Sequence, residues 1–206
     1  MLGTAIRSFA DPVGFPSALT FDGRMLWSAD LISRLIYQID PETGAIIRSF
    51  AIPGVLASGL TFDGRSLWVC DQGTKLIYQI DPETGTMIRS FVSASPIPIG
   101  LTFDGRTLWA GDLVQYRLYQ IDPETGTMIR SITGSGVKPT GLTFDGRCLY
   151  ELGPITSRIF QIDPETGTVI RSALSPDNNS AGLAFDGRTL WCGGINDDMI
   201  YQVAID

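Results

Sequence analysis

The chain carries the tetrapeptide Phe62-Asp63-Gly64-Arg65 and repeats it at a fixed spacing. Its five copies begin 41 residues apart, at Phe21, Phe62, Phe103, Phe144 and Phe185. Because the chain has 206 residues, five such periods leave almost no sequence for a linker or a second domain. A fixed period of about 20 to 50 residues is typical of propellers, solenoids and other arrays. We therefore expect one repeat domain over residues 1–206.

Each repeat contains four short segments with the composition of β-strands. In the second repeat, Asp63-Gly64 lies between two apolar runs, which indicates a β-hairpin because both residues tolerate a positive φ. Residues 76–80 are β-branched and aromatic and predict a third strand. The turn-forming residues 81–85 and the apolar residues 87–91 complete the unit. The repeat lacks the apolar spacing of an amphipathic helix.

These units predict an all-β, five-bladed β-propeller with four antiparallel strands in each 41-residue blade. We label the strands A to D outward from the axis. The blades are predicted near residues 18–50, 59–91, 100–132 and 141–173, and the last combines 182–206 with 3–9. The chain starts in the phase of a D strand and ends in that of a C strand, so the N-terminal strand is expected to complete the last blade and close the ring. The alternative, an open fragment of a larger ring, does not explain these matched ends.

Two residue types recur within the predicted strands. One aromatic residue follows Leu in every B strand, and since a blade cannot bury its own faces, we interpret this series as inter-blade core. The series is Trp27, Trp68, Trp109, Tyr150 and Trp191. One arginine recurs in every D strand, where a charge would protect an outer edge. These are Arg7, Arg48, Arg89, Arg130 and Arg171.

The repeat also resembles a known group of proteins. Gly-Leu-Thr-Phe-Asp-Gly-Arg-x-Leu-Trp, followed by Ile-Tyr-Gln-Ile-Asp-Pro-Glu-Thr-Gly, is similar to the repeats of the YVTN/NHL-like propeller superfamily over the whole chain. The resemblance implies the propeller fold. It implies no single activity, because that superfamily includes protein-binding modules, lyases and lactonases.

Composition removes several classes of function. The chain has no histidine, which excludes Ser-His-Asp and Cys-His catalysis and histidine-ligated metals. A net charge of −7 argues against a nucleic-acid partner. The three cysteines, Cys70, Cys148 and Cys192, have no metal-ligand spacing and are interpreted as small buried hydrophobes. We expect no cofactor.

The hydropathy and cysteine content of the chain also indicate its compartment. No run reaches membrane-spanning length and the N-terminus has no apolar signal core, so we expect a soluble chain without a signal peptide or a membrane partner. The cysteine usage is compatible with the cytoplasm. A closed ring is expected to be monomeric.

The repeats differ from one another mainly in two sets of loops. The A–B and C–D turns hardly change, and we call the face that they share the constant face. The D–A loops (10–17, 51–58, 92–99, 133–140 and 174–181) and the B–C loops (31–34, 72–75, 113–116, 154–157 and 195–198) vary, and they define the variable face. Such a layout is expected where a rigid scaffold presents function on loops, and equally where exposed loops drift. The candidate ligand-binding residues are Phe15, Leu56, Ile97, Tyr116, Lys138, Tyr150, Asn179 and Asn196.

Three B strands end in aspartate, at Asp30, Asp71 and Asp112. Three carboxylates near a shared axis could bind Ca²⁺ through oxygen. The alternative is that each aspartate caps its own B–C turn by accepting backbone N–H groups, and the recurrence of the position without a complete ligand set favours capping.

The fourth blade departs most from the others, because Glu151 occupies a position that is otherwise small. The equivalents are Ser28, Val69, Ala110 and Cys192. A glutamate between blades would be desolvated, its pKa would rise, and it could act as an acid or a base near neutral pH. The alternatives are a side chain that reaches solvent or one that pairs with Lys138 or Arg158.

One segment of this blade has a more specific resemblance. Lys138-Pro-Thr-Gly-Leu-Thr-Phe-Asp-Gly followed by Leu-Tyr-Glu151 is similar to the plant- and bacterial-type glutaminyl cyclases, which are five-bladed propellers. The resemblance implies that Glu151 is the acidic catalytic residue. Two departures stand against it: Thr140 replaces the glutamine of that family, and 152–154 replace its Ser-Thr-Gly.

Two functions from different classes follow. The first is a non-catalytic binding or scaffold propeller that contacts a protein, a peptide or a glycan through the variable face. Near-identical blades also suit an engineered or recently amplified repeat protein. The alternative is a small enzyme of glutaminyl-cyclase type with Glu151 as its acid/base group. Without a complete catalytic set, the sequence favours the first.

Overall fold

The computed structural model describes residues 2–12 and 14–205, so both ends of the predicted 1–206 domain lie outside the described residues. In chain order the strands are β1 (Ala5–Ala10), β2 (Pro16–Phe21), β3 (Leu26–Asp30), β4 (Leu35–Ile39), β5 (Ile46–Ala51), β6 (Ala57–Phe62), β7 (Leu67–Asp71), β8 (Leu76–Ile80), β9 (Met87–Val92), β10 (Pro98–Phe103), β11 (Leu108–Asp112), β12 (Leu118–Ile121), β13 (Met128–Ile132), β14 (Gly141–Phe144), β15 (Leu149–Gly153), β16 (Arg158–Ile162), β17 (Val169–Leu174), β18 (Ser180–Phe185), β19 (Leu190–Gly194) and β20 (Met199–Val203). They form five antiparallel four-stranded sheets within this described part of the chain. The five-bladed propeller is confirmed.

The N-terminal strand closes the ring. The last sheet has the order β18-β19-β20-β1, so a strand from the start of the chain forms its outer edge. Strand β1 pairs antiparallel with β20, and Ser8 lies opposite Tyr201. The Gly3 amide also donates to the carbonyl of Ala204 at 3.1 Å. The predicted closure is therefore confirmed.

The hydrophobic core lies between the blades. Each core cluster among the described residues combines side chains of two neighbouring blades. Trp68 of the second blade, for example, packs with Leu101 and Leu108 of the third. The four tryptophans and Tyr150 are each 1 % exposed, which confirms their interpretation as inter-blade core.

Each tryptophan is tied to the constant face and to the next blade. The Trp68 indole N–H donates to Asp63 in the A–B turn at 2.7 Å. The Arg89 guanidinium lies 5.4 Å from the centre of the Trp68 ring, and its Nε donates to Gln79 of the same blade. The same arginine pairs with Glu124 of the third blade at 3.2 Å. The D-strand arginines thus join neighbouring blades, a role that the edge-protection interpretation did not include.

Burial of the tryptophan contributes more to stability than the ion pair between Arg89 and Glu124 does. Because the carboxylate of Glu124 is exposed, a pair of this kind contributes only about 0–1 kcal/mol. A buried tryptophan removes roughly 200 Å² from water, which corresponds to about 5 kcal/mol as an upper bound. The arginine therefore orients the neighbouring blades more than it stabilises them.

Helical structure is almost absent from the described residues. They contain a single three-residue 3₁₀ turn, Pro154–Thr156, in the fourth B–C loop. No helix there has the length and the apolar character needed to cross a bilayer. All three cysteines are buried and free.

Trp68 provides a test of the inter-blade contact. We expect Trp68→Ala to lower the free energy of unfolding by about 3–5 kcal/mol, because it empties a sealed site. Trp68→Tyr is the matched control, since Tyr150 fills the equivalent position in the fourth blade, and it should cost less than half as much. Urea unfolding measures both values. Equal losses for the two variants would contradict the assignment.

Candidate functional site

A cavity opens on the axis at the variable face and has a volume of about 170 Å³. All five blades contribute to it at one repeated position near the start of the A strand. These residues are Ser17, Ser58, Ile99, Thr140 and Ala181. Residues of the D–A and B–C loops form the rest of the wall. The cavity therefore lies where the repeats differ most.

The wall of this axial cavity is mainly apolar. The apolar side chains are Phe15, Leu31, Ala57, Ile99, Ala181 and Ile195. The hydroxyls are already bonded to the backbone: Ser17 donates to Ala29 O at 2.7 Å and Ser58 donates to Pro98 O at 2.8 Å. Thr140 donates to Leu152 O at 3.3 Å. Their oxygen lone pairs remain able to accept a hydrogen bond from a ligand.

Lys138 is the only charged residue among the described residues that line the cavity, and Gln72 is the only side-chain amide there. No salt bridge within the described part of the chain involves Lys138. Two anchors hold the loop that carries this lysine. Ser135 bonds to Glu151 on one side of it, and the Thr140 amide donates to Leu152 O at 3.0 Å on the other.

Two of the predicted ligand-binding residues, Phe15 and Lys138, line the axial cavity. The others do not. The backbone amides of Leu56 and Ile97 are used to hold the aspartates of their own blades, at 2.6 and 2.8 Å. Tyr116 is partly exposed at the end of a B–C turn, where its φ is 55°.

The two asparagines and Tyr150 also lie outside the cavity wall. The Asn196 side chain bonds to Asp177 at 3.1 Å, and the Asn179 carbonyl accepts the Ile195 amide. Tyr150 is sealed between blades next to Asp145 of the A–B turn, toward the constant face. Tyr150, a predicted ligand-binding residue, therefore lies in the inter-blade core and outside the cavity wall. The physical reason is that a B-strand aromatic side chain leans toward the hairpin turn, as the tryptophans do.

The three B-strand aspartates bond within their own blades. Asp71 accepts the amides of Leu56 at 2.6 Å and of Thr74 at 2.7 Å, so it connects the D–A loop with the B–C loop. Asp112 makes the equivalent bonds to Ile97 and Gln115. Burial alone would raise the pKa of Asp112, but these bonds outweigh burial and hold its pKa below the ordinary value.

The predicted calcium site has no matching geometry. Within residues 2–12 and 14–205, no three acidic, cysteine or histidine side chains are placed to hold a metal ion. Asp30 accepts the Ser33 amide at 2.5 Å, which is a bond inside its own turn. The capping alternative describes all three positions, Asp30, Asp71 and Asp112.

Glu151 lies in β15 and is 1 % exposed. It accepts hydrogen bonds from the Ser135 amide at 3.1 Å and from the Ser135 hydroxyl. Arg158 donates instead to Ser172, and no salt bridge in the described part of the chain joins Glu151 to Lys138 or Arg158. Burial raises the pKa of Glu151 to about 7, while the two bonds from Ser135 oppose the rise. Glu151 is not part of the axial cavity wall.

The position of Glu151 has a structural explanation. The fourth and fifth blades have Gly153 and Gly194 where the others have a B-strand aspartate. In the fifth blade Asp177 from the D–A loop takes over and accepts the Asn196 amide at 3.0 Å. In the fourth blade Glu151 holds the D–A loop through Ser135. A carboxylate thus anchors these loops, although it comes from a different position in each of the two blades.

The positions of Lys138 and Glu151 determine which chemistry each of these two sites can support. The axial cavity has room for a small ligand, and its described wall residues include no acid or base other than Lys138. Glu151 has a pKa suited to proton transfer near neutral pH. Because it is covered by the loop 133–140, it cannot touch a substrate in this conformation.

Sequence comparison assigns no family: no protein-family model matches the chain, and no curated protein matches it in sequence. Solved structures do match its fold. The chain resembles the crystal structure of glutaminyl cyclase from Myxococcus xanthus with a TM-score of 0.83 and 17 % identity, covering 97 % of this chain and 94 % of that one.

Two other propellers are similar over part of their length. Virginiamycin B lyase from Staphylococcus aureus matches with a TM-score of 0.56 and 18 % identity, and 88 % of this chain and 63 % of that one are covered.

 The WD40 propeller domain of Doa1 matches with a TM-score of 0.62 and 11 % identity, and 91 % of this chain and 63 % of that one are covered. At these identities the likenesses show the fold alone.

Sequence reasoning named Phe15 and Lys138 but missed the other cavity residues, among them Gln72, Leu31 and Ile195. All three are the first residue of a B–C loop, and this repeated position carries a different side chain in almost every blade. A comparison of the blades position by position could therefore have singled them out. Only the ring geometry brings them together with the starts of the A strands.

The pKa of Glu151 predicts a pH-dependent stability. Its native pKa of about 7 lies above its ordinary value of 4.5, so between these values the native protein holds a proton that the unfolded chain has released. Stability from this group is therefore fully present at low pH and falls as pH rises, by about 1.4 kcal/mol per pH unit within that window. Glu151→Gln should remove this slope in urea unfolding experiments from pH 4.5 to 8.

The control for this experiment is Glu165→Gln, which removes an exposed carboxyl. It should leave the slope between pH 4.5 and 7 close to that of the parent. A Glu151→Gln variant with the same slope as the parent would show that Glu151 ionises normally in the native protein.

Proposed function

We propose that this chain is a non-catalytic binding propeller that takes the end of a protein segment, a peptide or another small ligand into its axial cavity. The observation that carries the proposal is a cavity walled by all five blades at positions where the repeats differ. Its wall combines apolar side chains with a few polar groups, which is typical of ligand sites. The repeated Trp–Asp and Arg–Glu contacts toward the constant face connect the blades that carry this wall.

Blocking the cavity tests the proposal. Ala181 lines the cavity and is almost fully buried, so Ala181→Phe should fill it, whereas Ile129→Phe makes a similar change at an exposed site on β13. A fragment set of neutral, anionic and cationic small molecules would be screened by ¹H–¹⁵N NMR. We expect shifts at Ser17 and Ile99 in the parent and in Ile129→Phe, and none in Ala181→Phe. The absence of shifts at these amides in the parent would overturn the proposal.

A second candidate is an enzyme of glutaminyl-cyclase type, and the likeness to the Myxococcus xanthus structure over 97 % of the chain favours it. In that reaction the α-amine of an N-terminal glutamine attacks its own side-chain carboxamide carbon. The bond from that carbon to nitrogen then breaks, and ammonia leaves with the proton of the amine. Glu151 would relay this proton, but the loop 133–140 would first have to move aside.

Ammonia release from a peptide with N-terminal glutamine separates the two candidates. Under the binding proposal, neither the parent nor Glu151→Gln releases ammonia faster than the buffer does. Loss of a general acid/base group lowers a rate by about 10²–10⁴-fold. Release by the parent that falls by this factor in Glu151→Gln would therefore overturn the non-catalytic proposal.

A further inference from the structure

The axial cavity is lined by one positively charged residue that has no ion-pair partner in the described part of the chain. Lys138 is the only charged residue among the described wall residues, and the described chain offers it no ion pair. Its loop is anchored on both sides, by Ser135 and by Thr140, so the lysine is held near the cavity. An ammonium group beside a mainly apolar wall attracts an anion more strongly than one in open water does.

The other polar groups of the wall restrict the ligand further. Each of the hydroxyls of Ser17, Ser58 and Thr140 has its hydrogen directed at a backbone carbonyl. The oxygen atoms can therefore only accept a hydrogen bond from a ligand, which calls for an N–H or O–H donor. Gln72 adds an amide that can donate or accept.

The size of the cavity limits the ligand to about one residue. Its volume of about 170 Å³ is below the roughly 300–1,000 Å³ of sites for drug-sized ligands. The apolar wall residues Phe15, Ile99 and Ile195 suit a small hydrophobic side chain. The cavity is too small to enclose a folded segment or a chain of sugars.

From these three features we infer that the axial cavity binds the C-terminal residue of a peptide, with its carboxylate at Lys138, its amide N–H at the hydroxyl oxygens and its side chain against the apolar wall. The inference rests on the proposed binding function and names its ligand class. A phosphate group fits less well, because no arginine lies among the described wall residues and phosphates are usually held by several donors. A cationic ligand would be repelled by Lys138.

The test compares acids with their amides. The probes are N-acetyl-L-leucine, N-acetyl-L-leucinamide, and a pentapeptide ending in leucine with either a free or an amidated C-terminus. Binding would be measured by isothermal titration calorimetry and by NMR shifts at Ile99. We expect the parent to bind each acid at least tenfold more tightly than its amide. Equal binding of acid and amide would overturn the inference while leaving the proposed binding function in place.

Variants of the two lysines show where the preference arises. Lys138→Gln should abolish the preference for the acid, and Lys138→Arg should retain most of it. Lys75→Gln is the matched control, since Lys75 is the only other lysine and lies outside the cavity wall. Melting temperatures would verify that all variants are folded. A preference for the acid that survives in Lys138→Gln would overturn the inference.

The remaining outcomes are equally decisive. If N-acetyl-L-leucine binds and the free-acid pentapeptide does not, the ligand of the cavity is a free small acid. The inference that the cavity binds the C-terminal residue of a peptide would then be wrong. If no probe binds and the fragment screen also shows no shifts at the cavity, the proposed function itself fails. The two failures are thereby distinguished.

Discussion

An aromatic side chain sealed between neighbouring blades is the contact on which the ring depends. A four-stranded blade has two faces and no interior, so its apolar residues are buried only when the next blade covers them. Trp68 lies in such a contact, and its indole N–H is fixed by Asp63 in the hairpin turn. The turn, the aromatic residue and the next blade thus form one unit, and repetition of this unit leaves the constant face little freedom to differ between blades.

The variable face is also held by repeated side-chain contacts, but the residues that make them differ between blades. Its loops also need anchors, but a carboxylate can reach them from more than one position. Asp71 and Asp112 do so from the end of a B strand, Asp177 from a D–A loop, and Glu151 from the middle of a B strand. This freedom explains why the face varies in sequence while its loops remain hydrogen-bonded. It also means that a buried carboxylate on this face is not by itself a sign of catalysis.

The sequence predicts the fold well because the decisive features are local and repeated. A hairpin turn, a strand and a period can each be read within one repeat, and the phases of the two ends predict the closing strand. The cavity depends instead on which side chains meet at the axis, so Gln72 was missed, whereas the candidate Tyr150 lies between blades outside the cavity wall. Glu151 was recognised as unusual, but its bond to Ser135 depends on a loop whose path has no equivalent pattern in the repeat.

The loop 133–140 takes part in both the binding and the catalytic interpretation. Ser135 in this loop holds Glu151, and Lys138 in the same loop lines the axial cavity. Burial raises the pKa of Glu151 to about 7, and protonation of this carboxyl replaces a charged acceptor for Ser135 with a neutral one. Charged acceptors form the stronger hydrogen bonds, so the anchor of the loop weakens as the carboxyl gains its proton. The same loop therefore connects the buried carboxyl of the fourth blade with the lysine that lines the cavity.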